Sequence, residues 1–408
     1  MDYGLRTGVS NYYSFLKLTV EVRGQPLILV GKPGVWSWDR ADPGSLALLE
    51  VAEIRPNDTV LDLGCGTGII GAAAAMLAPQ GNVTLVDCNV AAVTCARHTL
   101  AANHLTNASV SLADGVVGLP PASFDLVLSH LPRERAVQEE LIRGAAWVLK
   151  PGGRFYFVAH RQAGIKGAIA CAREVFGHCG VVRQKKGYHV ALALKPPDAR
   201  PAPPAERYQV MTAAVELDGV PTTLIGKPGV FAWDRLDDGT AALIKAMEIA
   251  PSDQVLDLGC GTGLAGLAAA RRAKAGRVVL VDADLRAVES ARRTLTANNI
   301  TNGAVLLSDC ASALIQNTSG DESHQFDVVI TNPPFHQGVG VDYEVARQFI
   351  LDAARVLRQE GRLFLVANRF IRYGELIRQT FGNVEVVYSD SRYQVFTARA
   401  AKKRGTAF

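Results

Sequence analysis

The chain repeats itself. Residues 31–44 read G-K-P-G-V-W-S-W-D-R-A-D-P-G and residues 226–239 read G-K-P-G-V-F-A-W-D-R-L-D-D-G, an offset of 195. The same offset relates Asp62-Leu63-Gly64-Cys65-Gly66-Thr67-Gly68 to Asp257-Leu258-Gly259-Cys260-Gly261-Thr262-Gly263. It also relates Asp87, Asn103 and Asp114 to Asp282, Asn298 and Asp309. Seven extra residues then enter the second copy around Asn317 to Gln325, so Phe124-Asp125 answers Phe326-Asp327 at an offset of 202. This is a tandem duplication, and each copy of about 200 residues is large enough for one well-cored domain. Between the copies, Lys195 to Ala205 holds five prolines, a composition that favours a semi-rigid extended linker. The expected organisation is a domain over 1–195, a linker over 196–207 and a domain over 208–408.

Within each copy, short β-rich runs alternate with alanine-rich helical ones. Val255-Leu256 leads into 265–274, and Val278 to Val281 leads into 285–298. Such alternation predicts an α/β fold in each copy, a mostly parallel sheet with helices on both faces. Ligands in such folds bind at the carboxyl ends of the strands. There the second copy places Asp257, then Gly259, Cys260, Gly261 and Gly263. Glycines let the backbone take φ > 0 and come close to a ligand. The G-x-G-x-G spacing differs from the G-x-G-x-x-G of dinucleotide binders, which disfavours a pyrophosphate seat. The next strand ends in Val281-Asp282-Ala283, and Asp282 can accept both hydroxyl protons of a ribose. A third ends in Ser308-Asp309-Cys310, placed to read an adenine amine. A glycine loop followed by two ordered acids predicts a seat for S-adenosylmethionine. Cys260 reads as a small filler within the loop.

The most specific chemistry follows the strand Val328-Val329-Ile330, which runs into Asn332-Pro333-Pro334-Phe335. Proline has no N–H and fixes its own φ, and a residue before proline is pushed toward extended geometry. The chain must turn, leaving carbonyls and one amide facing a cleft beside an aromatic ring. That is a receptor for a planar group bearing NH2. The first copy has His130-Leu131-Pro132-Arg133-Glu134 there. It keeps its glycines and lacks the receptor, so it is expected to be non-catalytic, with Arg133 and Arg135 available to phosphate or to neighbouring acids.

Composition bounds the rest. Hydrophobic residues make up 48% and charged residues 20%, as in a well-cored globular chain. No run of 18 apolar residues occurs, so no membrane span is expected, and residues 1–6 lack the plan of a signal peptide. Seven scattered cysteines without a C-x-x-C pair point to a reducing, cytoplasmic setting and away from structural zinc. The expectation is a monomer that holds no metal. Residues 1–195 carry 19 basic and 15 acidic side chains, leaving 24 of each for the remainder; residues 151–195 alone hold eight basic groups against Glu174. A local basic surface suits a polyanion, although an ordinary solvated face has the same composition. Trp38 and Trp233 either stack on ligand or pack beneath the loop.

With these residues in view, the chain resembles the ribosomal RNA guanine-N2 methyltransferases built from two fused class I methyltransferase halves. The small-subunit type is most similar and the large-subunit type is a near relative. The resemblance is carried by Gly229-Val230-Phe231, Leu236-Asp237-Asp238-Gly239-Thr240, the loop from Asp257 to Gly263, Asp282, the run N-P-P-F-H-Q-G from Asn332 to Gly338, and Ala367-Asn368-Arg369-Phe370. It implies a seven-stranded Rossmann-like sheet per half, catalysis in the second half, and a first half that helps to bind ribosomal RNA or the small ribosomal subunit. In the family the first half often has a decayed cofactor loop; here that loop is intact. N-P-P-[FY] is shared with adenine-N6 and protein-glutamine methyltransferases, so large-subunit RNA, transfer RNA or a glutamine amide are alternative acceptors. An RNA-binding assembly factor with vestigial catalysis is the non-enzymatic alternative.

Overall fold

The computed structural model describes residues 11–199, 213–315, 326–334 and 343–401. The chain divides into two compact units, residues 1–207 and 208–408. Residues 200–212, which hold most of the proline-rich stretch, like Phe335, His336, Gly338 and the Lys402-Lys403-Arg404 tail, lie outside the described residues.

Among the described residues the first unit carries, ahead of its main sheet, a hairpin of β1 (Leu16–Val22) and β2 (Gln25–Gly31), which pair only with each other. Its sheet is built from β3 (Thr59–Leu63), β4 (Asn82–Asp87), β5 (Ala108–Leu112), β6 (Phe124–His130), β7 (Leu149–His160), β8 (Cys179–Lys185) and β9 (Tyr188–Leu194). The spatial order is β5-β4-β3-β6-β7-β9-β8, with β9 antiparallel to both β7 and β8 and the other pairs parallel. The second unit repeats this plan. A hairpin of β10 (Ala213–Leu217) and β11 (Val220–Leu224) precedes β12 (Gln254–Leu258), β13 (Arg277–Asp282), β14 (Gly303–Leu307), β15 (Phe326–Thr331), β16 (Leu357–Asn368), β17 (Glu385–Ser389) and β18 (Tyr393–Arg399). The order is β14-β13-β12-β15-β16-β18-β17. Seven strands per half and a mostly parallel sheet are as the resemblance implies. Strand order reverses around β12, which puts the ligand crevice at the carboxyl ends of β12, β13 and β15.

The alternation of side chains along a strand, period two, supplies a core on each face. In β7, Phe155 and Phe157 join a cluster with Ile142, Ile165 and Ala172 from two helices, while Tyr156 and Val158 join another with Leu48, Ile70 and Ala73 from two more. Central strands are covered on both faces; all six residues of β15 are buried, Asp327 and Thr331 included.

The duplicated polar residues prove to be fasteners. Asn103 accepts the Ile28 N–H at 2.8 Å and donates to the Ile28 carbonyl at 2.7 Å; Asn298 does the same to Thr223 at 3.0 and 2.7 Å. Each asparagine therefore pins a hairpin onto the helix it terminates. The aspartate of each Phe-Asp pair accepts a strand amide, Asp125 from Thr59 at 2.9 Å and Asp327 from Gln254 at 2.8 Å.

Candidate functional site

The second unit brings the predicted residues to one crevice from three strands. Gly259, Gly261 and Gly263 have φ of +76°, +54° and +84°, a region open to glycine at little cost. A side chain at Gly259 would strike the Phe349 ring at 2.7 Å, whereas Gly261 has only the Phe231 carbonyl, at 3.9 Å, near its open side. Gly259 and Cys260 both donate to the Val281 carbonyl at 2.9 Å, stitching the loop to β13. Cys260 is buried, and burial drives its thiol pKa well up, so a filler role fits and a thiolate does not form.

Asp282 stands partly exposed at the end of β13. Its Oδ2 accepts the Gly261 N–H at 2.9 Å and its Oδ1 the Asp284 N–H at 3.0 Å. Burial raises its pKa against these backbone bonds, which include one from Ala283. A carboxylate has about four lone-pair sites, so both oxygens can also take ribose hydroxyls. Asp309 and Cys310 lie in the turn after β14, which ends at Leu307 and so stops short of them. Ser308 N–H donates to the Asp282 carbonyl at 2.8 Å, and Ala311 N–H donates to the fully buried Asp352 at 3.1 Å. Cys310 adopts φ +50°, an uncommon conformation for a side-chain-bearing residue; the first copy has Gly115 there, at φ +58°.

Asp257 lies beneath the loop rather than in it. It is 2% exposed and its Oδ2 accepts the Gly266 N–H at 2.7 Å, tying strand to helix. Burial, reinforced by the charge of Asp282, pushes its pKa up to about 7. Asp62 does the same in the first unit, with Gly71 at 2.7 Å and a pKa of about 7. A carboxyl whose folded pKa exceeds its unfolded value of about 4 takes up a proton on folding. It therefore lowers stability as pH rises from about 4 to about 7. Asp257→Asn is expected to gain on the wild type by about 1–4 kcal/mol across that window, at 1.36 kcal/mol per pKa unit. A stability difference that stays constant from pH 4.5 to 8 would show instead that Asp257 is ionised in the fold.

Asn332 follows β15, and the hydroxyl of the preceding Thr331 donates to the Leu258 carbonyl at 2.7 Å. The receptor turn is thereby fastened to the strand that carries the glycine loop. The Asn332 amide nitrogen donates to Asp237 Oδ2 at 3.2 Å and Thr240 Oγ1 at 3.0 Å. Asp237 is itself the N-cap of the helix Asp238–Ala246, accepting the Thr240 N–H at 3.0 Å. A carboxylate can only accept, so it settles which end of the amide is nitrogen and leaves Oδ1 pointing to other partners. Pro333 is buried and Pro334 exposed. Asp237 and Thr240 as the orienting pair escaped sequence reasoning, although Asp237 stands in the repeated run and Thr240 directly follows it; the capping pattern Asp-x-x-Thr before an apolar helix was the available signal.

The first unit preserves this pair and changes what it holds. Asp42 and Ser45 replace Asp237 and Thr240, and His130 replaces Asn332, with Nδ1 at 2.9 Å from Asp42 Oδ2 and 3.4 Å from Ser45 Oγ. Burial opposes ionisation of Asp42, yet the bond to His130, its charge and the Ser45 bonds hold the pKa below the ordinary value.

Other expectations are corrected or refined. Arg154 does not contribute to a basic surface: it is 6% exposed and donates to Asp58 at 2.6 Å, because a guanidinium that close to a strand core must be paired to be buried. Lys195 is likewise buried, donating to the Leu149 carbonyl. Arg183 and Lys185 both contact Glu50; Arg161, Lys166, Arg173 and Lys186 are exposed. Arg135 pairs with Glu139 at 2.8 Å, while Arg133 is exposed. Trp38 packs against Val35, Ala91, Ala92 and Cys95, and the exposed aromatics of the two G-K-P-G-V turns are instead Trp36 and Phe231, at 48% and 59%. Among the described residues no cluster of His, Cys, Asp or Glu could hold a metal, and no helix is long and apolar enough to cross a membrane.

The model of the methyltransferase small domain matches this chain twice, over residues 26–192 and 221–397. Ribosomal RNA small subunit methyltransferase C of Pseudomonas entomophila (strain L48) is 33% identical over 286 residues, which is 69% of this chain and 81% of that protein. The chain belongs to this methyltransferase family. The same protein of Pseudomonas putida (strain W619) is 34% identical over equal shares of both chains. Among solved structures, a T. thermophilus 16S rRNA N2 methyltransferase in complex with AdoMet and guanosine is similar at 30% identity and a TM-score of 0.80. That likeness covers 95% of this methyltransferase and 98% of that chain. It spans both halves of this chain.

Proposed function

We propose that this methyltransferase moves a methyl group from S-adenosylmethionine to the exocyclic N2 of a guanine in small-subunit ribosomal RNA, and that the second half does the chemistry. The observation that carries this reading is the fixed amide of Asn332: with its nitrogen held by Asp237 and Thr240, its oxygen faces outward as an acceptor for an amine proton. The relatives' names support ribosomal RNA over transfer RNA or a protein amide as the acceptor, and the AdoMet and guanosine bound to the T. thermophilus protein support the donor and the base. The proposed setting is a cytoplasmic monomer.

The residues present fit such a donor. The open side of Gly261 leaves room against the loop, and Asp282 offers two oxygens to a ribose. Gly259, Cys260, Gly263 and Ala283 shape the cradle, Asp309 and Cys310 border the adenine end, and Asp257 holds the base of the loop. When bound, S-adenosylmethionine supplies an electrophilic methyl on a sulfonium that departs as a neutral thioether.

The chain's own residues must make a poor nucleophile effective. The N2 lone pair of guanine is delocalised into its ring. Asn332 Oδ1 and the Pro333 carbonyl accept the two N–H protons, which favours a pyramidal nitrogen with its lone pair aimed along one axis. Pro334 stiffens the turn and Phe335 stacks on the base. Alignment of this kind is worth roughly 7–11 kcal/mol when ideal, and carbonyl dipoles fixed toward developing positive charge add to it. As the N–C bond forms, N2 becomes acidic and loses a proton to water, so no strong base is required. The base must leave its stack to reach the crevice, at a cost of a few kcal/mol, offset by RNA contacts elsewhere. Transfer of labelled methyl to small-subunit RNA, followed by nucleoside mapping for N2-methylguanosine, tests the reading; label appearing only on adenine N6 or on protein would sink it.

The first half is proposed to supply RNA affinity. Arg183 and Lys185 share Glu50, but exposed ion pairs are worth only about 0–1 kcal/mol and yield readily to phosphate. Neutralising Arg183, Lys185 and Lys186 together is expected to weaken RNA binding. It should also flatten the plot of log affinity against log salt by up to about 2–3 units, at ~0.7–0.9 per phosphate. Titrations at several salt concentrations giving parallel lines for wild type and variant would leave this face merely solvated.

A further inference from the structure

We infer that the first half holds a second adenosyl-cofactor site, one that takes an S-adenosyl amino acid and does not transfer its methyl. The inference rests on the reading of the second half given above, because it argues from the likeness of two loops. Gly64, Gly66 and Gly68 have φ of +83°, +54° and +82°, within 7° of Gly259, Gly261 and Gly263. Gly64 and Cys65 donate to the Val86 carbonyl at 2.9 and 3.0 Å, as Gly259 and Cys260 do to Val281. Asp87 Oδ2 accepts the Gly66 N–H at 2.9 Å and its Oδ1 the Asn89 N–H at 2.9 Å, the pattern of Asp282. The turn after the third strand is anchored alike, with Ala113 N–H donating to the Asp87 carbonyl at 2.9 Å.

Packing accounts for only part of this likeness. A Cβ at Gly68 would lie 3.0 Å from Ala96, so the helix behind the loop demands that glycine. Gly64 and Gly66 have nothing within 4 Å of such a carbon. Their positive φ already calls for glycine, and their open sides leave a clear space against the loop. Beneath that space Asp62, 0% exposed, gives one oxygen to Gly71 and keeps Oδ1 without a hydrogen-bond partner. As Asp257 does in the second unit, this carboxyl lies under the loop and ties its strand to the helix that follows. At the mouth, His130 held at Nδ1 by Asp42 presents a ring nitrogen where the second half presents an amide oxygen. Leu131 stands where Pro333 does. The amide oxygen and the proline-locked carbonyl proposed to receive the exocyclic amine are not reproduced there, so the ligand stays unreacted.

Calorimetric titration of the full-length chain with S-adenosylhomocysteine tests this. Two molecules per chain are expected for the wild type and one for Asp282→Ala. Asp87→Asn, which retains one acceptor for the loop, should weaken the first-half site at least tenfold. Gly66→Ala, which adds a methyl to the open side at a φ of +54°, should do so with only a small fall in melting temperature. One molecule per chain, lost in Asp282→Ala and untouched by Asp87→Asn and Gly66→Ala, would overturn the inference. So would two molecules per chain that both first-half variants leave unaltered. Binding that survives Asp282→Ala unchanged but vanishes in Asp87→Asn would keep this site and reject the second-half assignment instead.

Discussion

Asn332→Ala is expected to cut the rate of methyl transfer by roughly 10²–10³-fold, the usual cost of removing one fixed dipole from a site of developing charge, while cofactor affinity changes far less. The substitution removes an acceptor from the amine and does little to the fold, since Asp237 keeps its bond to the Thr240 N–H. Asp237→Ala should reproduce part of the loss through misorientation, because the Asn332 amide is then free to rotate. It should also cost about 1 kcal/mol of stability as a lost helix cap. Single-turnover assays at saturating cofactor separate these effects. Transfer within threefold of wild type in Asn332→Ala would remove this residue from the mechanism. If the double variant Asn332→Ala/Phe335→Ala transferred methyl at the wild-type rate, the first half would have to be catalytic.

Asp282→Ala is expected to weaken S-adenosylmethionine binding by about 10²–10⁴-fold. Two hydrogen bonds from ribose hydroxyls to a carboxylate, at about 1.5–3 kcal/mol each, amount to that range at about 1.4 kcal/mol per decade. The same carboxylate also accepts the Gly261 and Asp284 amides, so part of the loss will come from a loosened loop. Asp282→Asn discriminates: it retains one acceptor and most of the loop geometry, and should fall between wild type and alanine. Calorimetry on a first-half Asp87→Asn background isolates the second site. Unchanged affinity in Asp282→Ala would reject the ribose assignment. Because burial raises the pKa of Asp282, its charge, and with it ribose binding, should weaken as pH falls toward that raised value.

How much of this was legible in residue order depends on the range of each interaction. The duplication, the glycine loops, the acids at strand ends and the Asn-Pro-Pro turn are local patterns. Steric rules for glycine and proline act over a few residues, and an apolar run of five or six residues between turn signals reads as a buried strand wherever it occurs. These sufficed for the α/β class and the donor, while the seven strands per half were implied by the family resemblance. The roles of particular polar side chains were settled by contacts across the fold. Asn332 meets Asp237 and Thr240 from 95 and 92 residues away, because the helix they begin packs on β16 and β18, next to β15. Arg154 counted as surface charge in the sequence, yet the sheet buries it against Asp58, 96 residues away. Asp257 looked like a ligand because it precedes the glycines; the strand's alternation turns its side chain inward to the Gly266 amide. Asn103 and Asn298 repeat for a mechanical reason, the pinning of a hairpin. A charge or an amide takes its meaning from the partner that desolvation forces on it, and that partner is chosen by topology, which residue order specifies only through the whole fold.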